Sequence, residues 1–396
     1  MRILVTGSDG FIGKNLVESL KNIRDGKDLR HMIRKCAIPA HLEIMECTGD
    51  SPDELLDRYC KTADFVFCLA GTNRSQQAEA FIEGNTMSVA KVLELLKRHG
   101  RNTTVMYASS IQASLTGRYE GSFYGESKKQ GEDLVRRYGE ETGAATLIYR
   151  FVNVFGKWCR PDCHSVIATF CSHIAREEPI RVDDPKTQLR LIYIDDLIEE
   201  LLQALDGRPS GSESGYAMVK PEYQASIEEI VALLYRFHDI RQGGCLPSLE
   251  EQSFEKKLYA TYISYLPQED LLYPLMTHMD ERGSFTELIR TMTGGQFSVN
   301  ITRPGITKGG HWHHTKTEKF VVVSGRARIQ LKKIVANADG QSDAAIDYHV
   351  SGEKIEVVDI PPGYLHAITN EGDRDLITLM WCDECFDQEK PDTFCR

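Results

Sequence analysis

The chain opens on a strand, a glycine turn and a helix, and that order leaves few folds open. Arg2–Thr6 is an apolar run, Gly7-Ser-Asp-Gly10-Phe-Ile-Gly13 follows at once, and Ile12, Leu16, Val17 and Leu20 then recur at helical spacing. Glycines at 7, 10 and 13 permit a tight turn, a close approach to a phosphate, and packing of helix on sheet. The unpaired N–H groups at the helix start suit a pyrophosphate. Gly7, Gly10, Phe11, Ile12 and Gly13 are therefore the expected dinucleotide contacts, the alternative being a structural loop. Ala63–Ala70, Thr104–Ala108 and Ala145–Phe151 read as further strands, with Leu29–Ile33 a weak one. Helical stretches at 85–99 and 126–142 alternate with them. The expected fold is α/β, a Rossmann-type doubly wound parallel sheet.

From about residue 284 the texture changes. Short β-rich runs such as Phe285–Arg290, Gln296–Arg303 and Leu376–Cys382 alternate with Gly, Pro and Asp turns. Regular short strands without long helices indicate a small all-β barrel or jelly roll. At 396 residues two domains are expected, at 1–268 and 269–396, with 241–253 a surface connection. A net charge of −11 argues against nucleic acid or an anionic membrane as partner. No apolar run reaches membrane-spanning length, and the first residues form a strand rather than a signal peptide, so a cytoplasmic enzyme is expected. The eleven cysteines lack framework spacing and read as reduced thiols. Cys382-Asp-Glu-Cys385 reads as a strand end and a loop cysteine, because no second pair completes a zinc site.

Three further patterns carry chemistry. His31-Met-Ile-Arg34-Lys35 is basic where an acid would bind a ribose diol, so Arg34 favours NADPH, the alternative being solvated side chains. Tyr124 and Lys128 share a helix face. The lysine charge is expected to lower the tyrosine pKa and make its phenol a proton donor. Finally, Gly305-x5-His311-x-His313-x4-Glu318-x6-Gly325, with His366 beyond, places three imidazoles and a carboxylate at strand spacing. Alternate residues on a strand face one side, so His311 and His313 both point inward. The set can close on a divalent metal, and zinc, iron, manganese and nickel all accept it.

The first half resembles the extended short-chain dehydrogenase/reductases that act on nucleotide sugars. The matching pieces are Thr6-Gly-x-x-Gly-Phe-Ile-Gly13, Leu69-Ala-Gly71, Ser109-Ser110, Tyr124-x3-Lys128 and Arg150-Phe-Val-Asn153-Val-Phe-Gly156. The resemblance implies a catalytic set of Ser110, Tyr124 and Lys128, with Ser109 an alternate for Ser110. It places Leu69, Ala70, Gly71, Tyr124 and Lys128 beside the cofactor, and Arg150 and Asn153 in the sugar pocket. The run Ile111-Gln-Ala-Ser114 departs from the Tyr-Gly that such enzymes often carry there.

The second half is similar to the cupins. The 305–325 box fits the first cupin motif, and Pro361-Pro-Gly363-x2-His366-x3-Asn370 fits the second, with Ile355 in place of a glycine. Asp280-Glu-Arg282-Gly-Ser-Phe285-Thr-Glu287 resembles the sugar 3,5-epimerase branch. That resemblance implies Arg282 and Lys308 as substrate contacts. His311 falls where the branch keeps a base, so base and ligand roles compete for it. His314 either faces away or bonds substrate.

Ser109-Ser-Ile-Gln-Ala113, Phe155-Gly-Lys-Trp-Cys159, Ser165-Val-Ile-Ala-Thr-Phe170 and His311-Trp-His-His-Thr315 extend the likeness across the chain. Both halves together resemble the bifunctional capsular-polysaccharide enzymes of the UDP-N-acetyl-L-fucosamine pathway. The resemblance implies a UDP-linked 4-keto-6-deoxy amino sugar as substrate. The cupin would epimerise C3, and the reductase would then reduce C4 to give UDP-2-acetamido-2,6-dideoxy-L-talose. Zinc, a Lewis acid without redox chemistry, suits the first step. A homodimer is implied because cupins of this branch usually pair. The alternative is a plain NADPH-dependent 4-keto sugar reductase whose cupin dimerises and holds a structural metal.

Overall fold

Alternating apolar residues on the first strand decide how the N-terminal half is layered. In β1 (Arg2–Thr6), Ile3 and Val5 face one core while Leu4 faces another. A strand buried on both sides needs helices on both sides. The computed structural model describes all residues except 29–40, 76, 164, 212–214, 248–249, 292–293, 336–342, 388 and 396. Arg34 and the strand expected at 29–33 lie outside the described residues.

The chain forms two compact units. The first comprises Met1–Leu234 and Lys257–Leu266, the second Tyr235–Lys256 and Pro267–Arg396. In the first, β1 is joined by β2 (Glu43–Cys47), β3 (Phe65–Cys68), β4 (Thr104–Ser110) and β5 (Thr146–Phe151) in a parallel sheet ordered β2-β1-β3-β4-β5. The helices Phe11–Arg24 and Ile194–Leu205 pack on one face through Leu16, Leu20, Leu197 and Leu201. The helices Ser88–Arg98 and Phe123–Thr142 cover the other through Val92, Leu96, Val135 and Tyr138. The chain leaves β1 for β2 on one side and returns to β3 on the other. The crevice at that switch point is where such sheets bind ligands. A small sheet of β6 (Asn153–Phe155), β7 (Gln188–Tyr193) and β8 (Tyr223–Ser226) follows.

The second unit is a cupin-type jelly roll of two facing sheets. Its strands are β9 (Thr277–Asp280), β10 (Gly283–Thr291), β11 (Gly295–Thr302), β12 (Thr307–Trp312), β13 (Glu318–Ser324), β14 (Arg326–Lys333), β15 (Ile346–Ser351), β16 (Val357–Ile360), β17 (Tyr364–Asn370), β18 (Leu376–Cys382) and β19 (Phe394–Cys395). They pair as β16-β13-β18-β11-β10-β9 and as β15-β14-β17-β12-β19. Phe320, Val322, Ile329, Leu331, Ile360 and Ile368 fill part of the space between the sheets. Phe320 and Ile368 also form the wall where a cavity of about 1110 Å³ begins. Residues 241–253, expected as a surface connection, fall within this unit: the Leu246 amide donates to the Arg290 carbonyl at 2.7 Å. The described cysteines are all free thiols. No described helix is long and apolar enough to cross a membrane.

Candidate functional site

Two clusters of reactive side chains emerge, one in each unit. In the first unit the glycine loop links the end of β1 to its helix, and Gly7 adopts φ +65°. A Cβ there would lie 2.8 Å from the backbone of Ala70, so only glycine lets the ends of β1 and β3 come together. At Gly13 a Cβ would fall 2.1 Å from the Gly7 carbonyl. The loop is closed by necessity of its own geometry, and Leu69-Ala70-Gly71 lines its far side. Thr6 Oγ1 also bridges the strands, donating to the Phe67 carbonyl and accepting from the Ala70 amide, each at 3.4 Å.

β4 ends on Ser109 and Ser110, and alternation sends their hydroxyls opposite ways. Ser109 is buried and donates to Glu132 Oε1 at 2.6 Å. Ser110 caps the following turn, accepting from the Gln112 amide at 3.2 Å, and hydrogen-bonds Tyr124. Ser110, not Ser109, is thus the serine beside the phenol. Tyr124 sits in the first turn of its helix, whose N-cap Ser122 accepts from the Gly125 amide at 3.0 Å. Lys128 lies one turn on, buried, donating to the Ala108 carbonyl at 2.9 Å with its ammonium 6.0 Å from the Tyr124 ring centre.

The electrostatics differ from the expectation. Burial pushes the Tyr124 phenol up, opposed by its Ser110 hydrogen bond rather than by Lys128. Burial also brings Lys128 down to about 8. Neither effect is visible in residue spacing, because both depend on what covers the pair.

Arg150 was expected at the sugar pocket, but it grips the buried Glu132 through Nε and Nη2, both at 2.7 Å. Its Nη2 also donates to the Ala113 carbonyl at 3.2 Å, and Tyr216 donates to the same carboxylate at 3.1 Å. The fork braces the 111–114 turn from behind. Asn153 is exposed at the start of β6 and donates to the Arg190 carbonyl at 3.2 Å. The sequence reading missed Asn85. It is fully buried in a π-helical turn, Ile82–Met87, where it holds Thr72 from both sides and donates to Ser127 Oγ at 3.0 Å. A π turn within a longer helix is itself a signal of a functional position.

In the second unit, His311 on β12 lies directly across from His366 on β17. Glu318 opens β13 of the facing sheet, and His313 lies on the connection between β12 and β13. One ligand atom from each of the four falls within 4.8 Å of all the others. His313 Nε2 and His366 Nε2 approach Glu318 Oε2 to 3.4 and 3.1 Å. These three atoms are buried without an aligned hydrogen bond. Buried polar atoms without partners are costly, and a shared cation satisfies all three at once. Burial, with His366 beside it, holds His311 down at about 4, so its ring is neutral at pH 7 and offers a lone pair. Burial works against the Glu318 charge, but His313 and His366 outweigh it and hold the carboxyl at about 2. The residues fit a divalent metal.

The cluster lines the 1110 Å³ cavity together with Lys308, Lys316, Glu287 and Met380. Lys308 donates to Asn300 Oδ1 and the Ile301 carbonyl at 2.7 and 2.9 Å. Lys316, which the sequence reading passed over, is only 6% exposed. Its ammonium has no hydrogen-bond or ion-pair partner among the described residues and lies 5.9 Å from the Phe386 ring centre. Arg282, expected as a contact, and His314, expected either to face away or to bond substrate, are not among the residues lining this cavity. Arg282 is exposed and paired with Asp280 at 2.6 Å. The exposed His314 ring meets Trp312 and Phe394 edge-on, and those two rings also touch each other.

Residues 3–215 match the NAD dependent epimerase/dehydratase family. The chain belongs to that family. Residues 278–394 match the polysaccharide biosynthesis C-terminal domain, so this member carries a second, fused module. A full-length relative, UDP-2-acetamido-2,6-beta-L-arabino-hexul-4-ose reductase of Pseudomonas aeruginosa, is 36% identical over 394 residues, covering 100% of this chain and 98% of that protein. Among solved structures, the capsular polysaccharide assembling protein CapF from Staphylococcus aureus superposes with a TM-score of 0.85 at 44% identity, over 100% of this chain and 99% of that one. RMD from Pseudomonas aeruginosa, complexed with NADPH, covers 67% of this chain and 99% of its own at a TM-score of 0.52 and 19% identity, a likeness of fold.

Proposed function

We propose that the chain inverts C3 of a UDP-linked 4-keto-6-deoxy amino sugar in its barrel and then reduces C4 with NADPH. The product is UDP-2-acetamido-2,6-dideoxy-L-talose, a precursor of UDP-N-acetyl-L-fucosamine for capsule or O-antigen. One observation carries this reading: a proton-donor set beside a dinucleotide loop shares a chain with a four-ligand cluster in a cavity large enough for a sugar nucleotide. The full-length relative is named for a hexul-4-ose reductase, which supports the substrate class.

The ketone acidifies the C3 hydrogen. Loss of that proton leaves an electron pair delocalised onto the C4 oxygen, and reprotonation on the opposite face inverts the centre. Held by His311, His313, Glu318 and His366, a divalent metal, zinc by preference, would supply Lewis acidity; NADPH, when bound, would supply the hydride. Lys316, which lines the same cavity and has no ion-pair partner among the described residues, would offset the developing oxygen charge. In the first unit, Ser110 holds the carbonyl oxygen and Tyr124 donates the proton as the alcohol forms. Because burial raises the phenol, its donor form prevails at neutral pH.

NADPH over NADH rests on the basic run at 31–35. A homodimer is supported by exposed Met279, Ile289, Phe297, Val357 and Leu379, which alternation places on the outer side of the six-stranded sheet.

A D2O time course with late addition of NADPH tests the whole reading. NMR should show deuterium entering C3 before coenzyme is present, and reduction only afterwards. No deuterium uptake by enzyme that still reduces the ketosugar would leave the single-function reductase. The pH profile gives a second check. Lys128 loses its charge as pH rises through about 8, while Tyr124 remains protonated. The kcat/KM for reduction is expected to fall about tenfold per unit above that point. A profile flat well into the alkaline range contradicts a role for the lysine charge.

A further inference from the structure

We propose that the C-terminal segment positions the metal ligands, with Asp392 as the residue that orients His313. The inference rests on the metal reading of the four-residue cluster.

His313 and Glu318 are joined by a stretch without a strand, His314–Thr317. Three successive amides in it, those of His314, Thr315 and Lys316, donate to the Asp392 carboxylate at 2.8, 2.8 and 3.0 Å. Thr315 Oγ1 adds a fourth bond at 3.2 Å. Consecutive amides converging on one carboxylate form a backbone nest, a site that holds an anion in fixed orientation. The main-chain carbonyl of the same residue faces His313 Nδ1. Two residues on, β19 pairs with β12 at His311 and Trp312.

Asp392 therefore grips the ligand loop with its side chain and meets the ligand ring with its main chain. An imidazole that donates from Nδ1 presents the Nε2 lone pair, and His313 Nε2 points at Glu318 in the centre of the cluster. The carboxylate fixes where the carbonyl sits, and the carbonyl fixes tautomer and ring angle. His366 is held in the same manner by a local partner, with Nδ1 3.2 Å from the Tyr364 carbonyl. His313 instead depends on a residue 79 positions away.

A second carboxylate supplies the control. Asp383 accepts from the Thr317 amide and hydroxyl at 2.9 and 2.7 Å, so it tethers the same loop. It has no bond to a ligand ring. Loss of Asp383 loosens the loop, whereas loss of Asp392 loosens the loop and frees the His313 ring.

The test uses the full chain loaded with Zn2+ or Co2+. Asp392→Ala is expected to weaken Zn2+ affinity about 10- to 100-fold, read as faster transfer to a chelator, and to alter the visible spectrum of the Co2+ form. Asp392→Asn, which keeps one acceptor oxygen, should lose less. Asp383→Ala should leave the Co2+ spectrum as in wild type. Thermal melting of the metal-free proteins separates folding from metal binding. If Asp392→Ala unfolds the barrel, Asp392→Asn decides: a partial loss of affinity supports the inference and an unchanged affinity overturns it. Wild-type affinity and spectrum in Asp392→Ala, or equal losses in Asp383→Ala and Asp392→Ala, also overturn it. A wild-type chain that binds neither ion sinks the metal reading itself.

Discussion

Tyr124→Phe should slow C4 reduction by about 100- to 10,000-fold while C3 deuterium exchange continues at the wild-type rate. The phenylalanine ring keeps the edge contact with Phe81, whose centre lies 5.8 Å away, so the local packing survives. What disappears is the phenol, the only group in the set that combines an acidic proton with a position beside Ser110. Ser110 then faces the substrate oxygen alone and cannot neutralise the alkoxide. NADPH absorbance reports reduction, and proton NMR in D2O reports exchange. If the variant lost both activities, the two sites would not be independent.

Glu318→Gln should abolish the opposite half. The carboxyl is held at about 2, so it is fully ionised at any working pH, and glutamine removes one whole negative charge with almost no change of shape. Three imidazoles remain around a position that needs a compensating anion. Metal content should fall by at least about 100-fold at a fixed chelator concentration, and C3 exchange by about 1,000-fold or more. Reduction of a sugar already inverted at C3 should stay within about twofold of wild type. Elemental analysis and the same NMR assay measure these quantities. Exchange that persisted in metal-depleted Glu318→Gln would show that a bound metal plays no part in removing the proton.

The parts of this molecule that could be read from sequence are those written in short-range spacing. The glycine loop needs seven residues, the Tyr124–Lys128 face needs five, and the His311–Glu318 box needs eight. Each is a local period of a helix, strand or turn. The parts that could not be read are tertiary. The Glu132 carboxylate that holds Arg150 Nε and Nη2 comes from the preceding helix, a pairing that no local spacing announces. Asn85 sits in a turn whose widening leaves no mark in composition. Asp392 is one acid among many until the chain folds its carboxylate onto three amides. The strand Glu43–Cys47 escaped because its exposed Glu43 and Glu46 break the apolar pattern. The direction of the Tyr124 shift was misjudged because charge proximity is legible in spacing and desolvation is not.

The threading of the chain sets a condition on any attempt to dissect it. From Lys257 on, the helix Phe254–Ile263 returns to the coenzyme-binding unit, after residues 235–256 have joined the other. It brings Leu258 and Tyr262, both completely enclosed. A fragment stopping at 234 lacks these side chains and leaves their sockets open. A fragment stopping at 266 carries Leu246 without the edge residue it bonds. No single scission yields two intact halves, so failure of a truncated gene product would report broken stitching rather than chemistry that one half cannot perform alone.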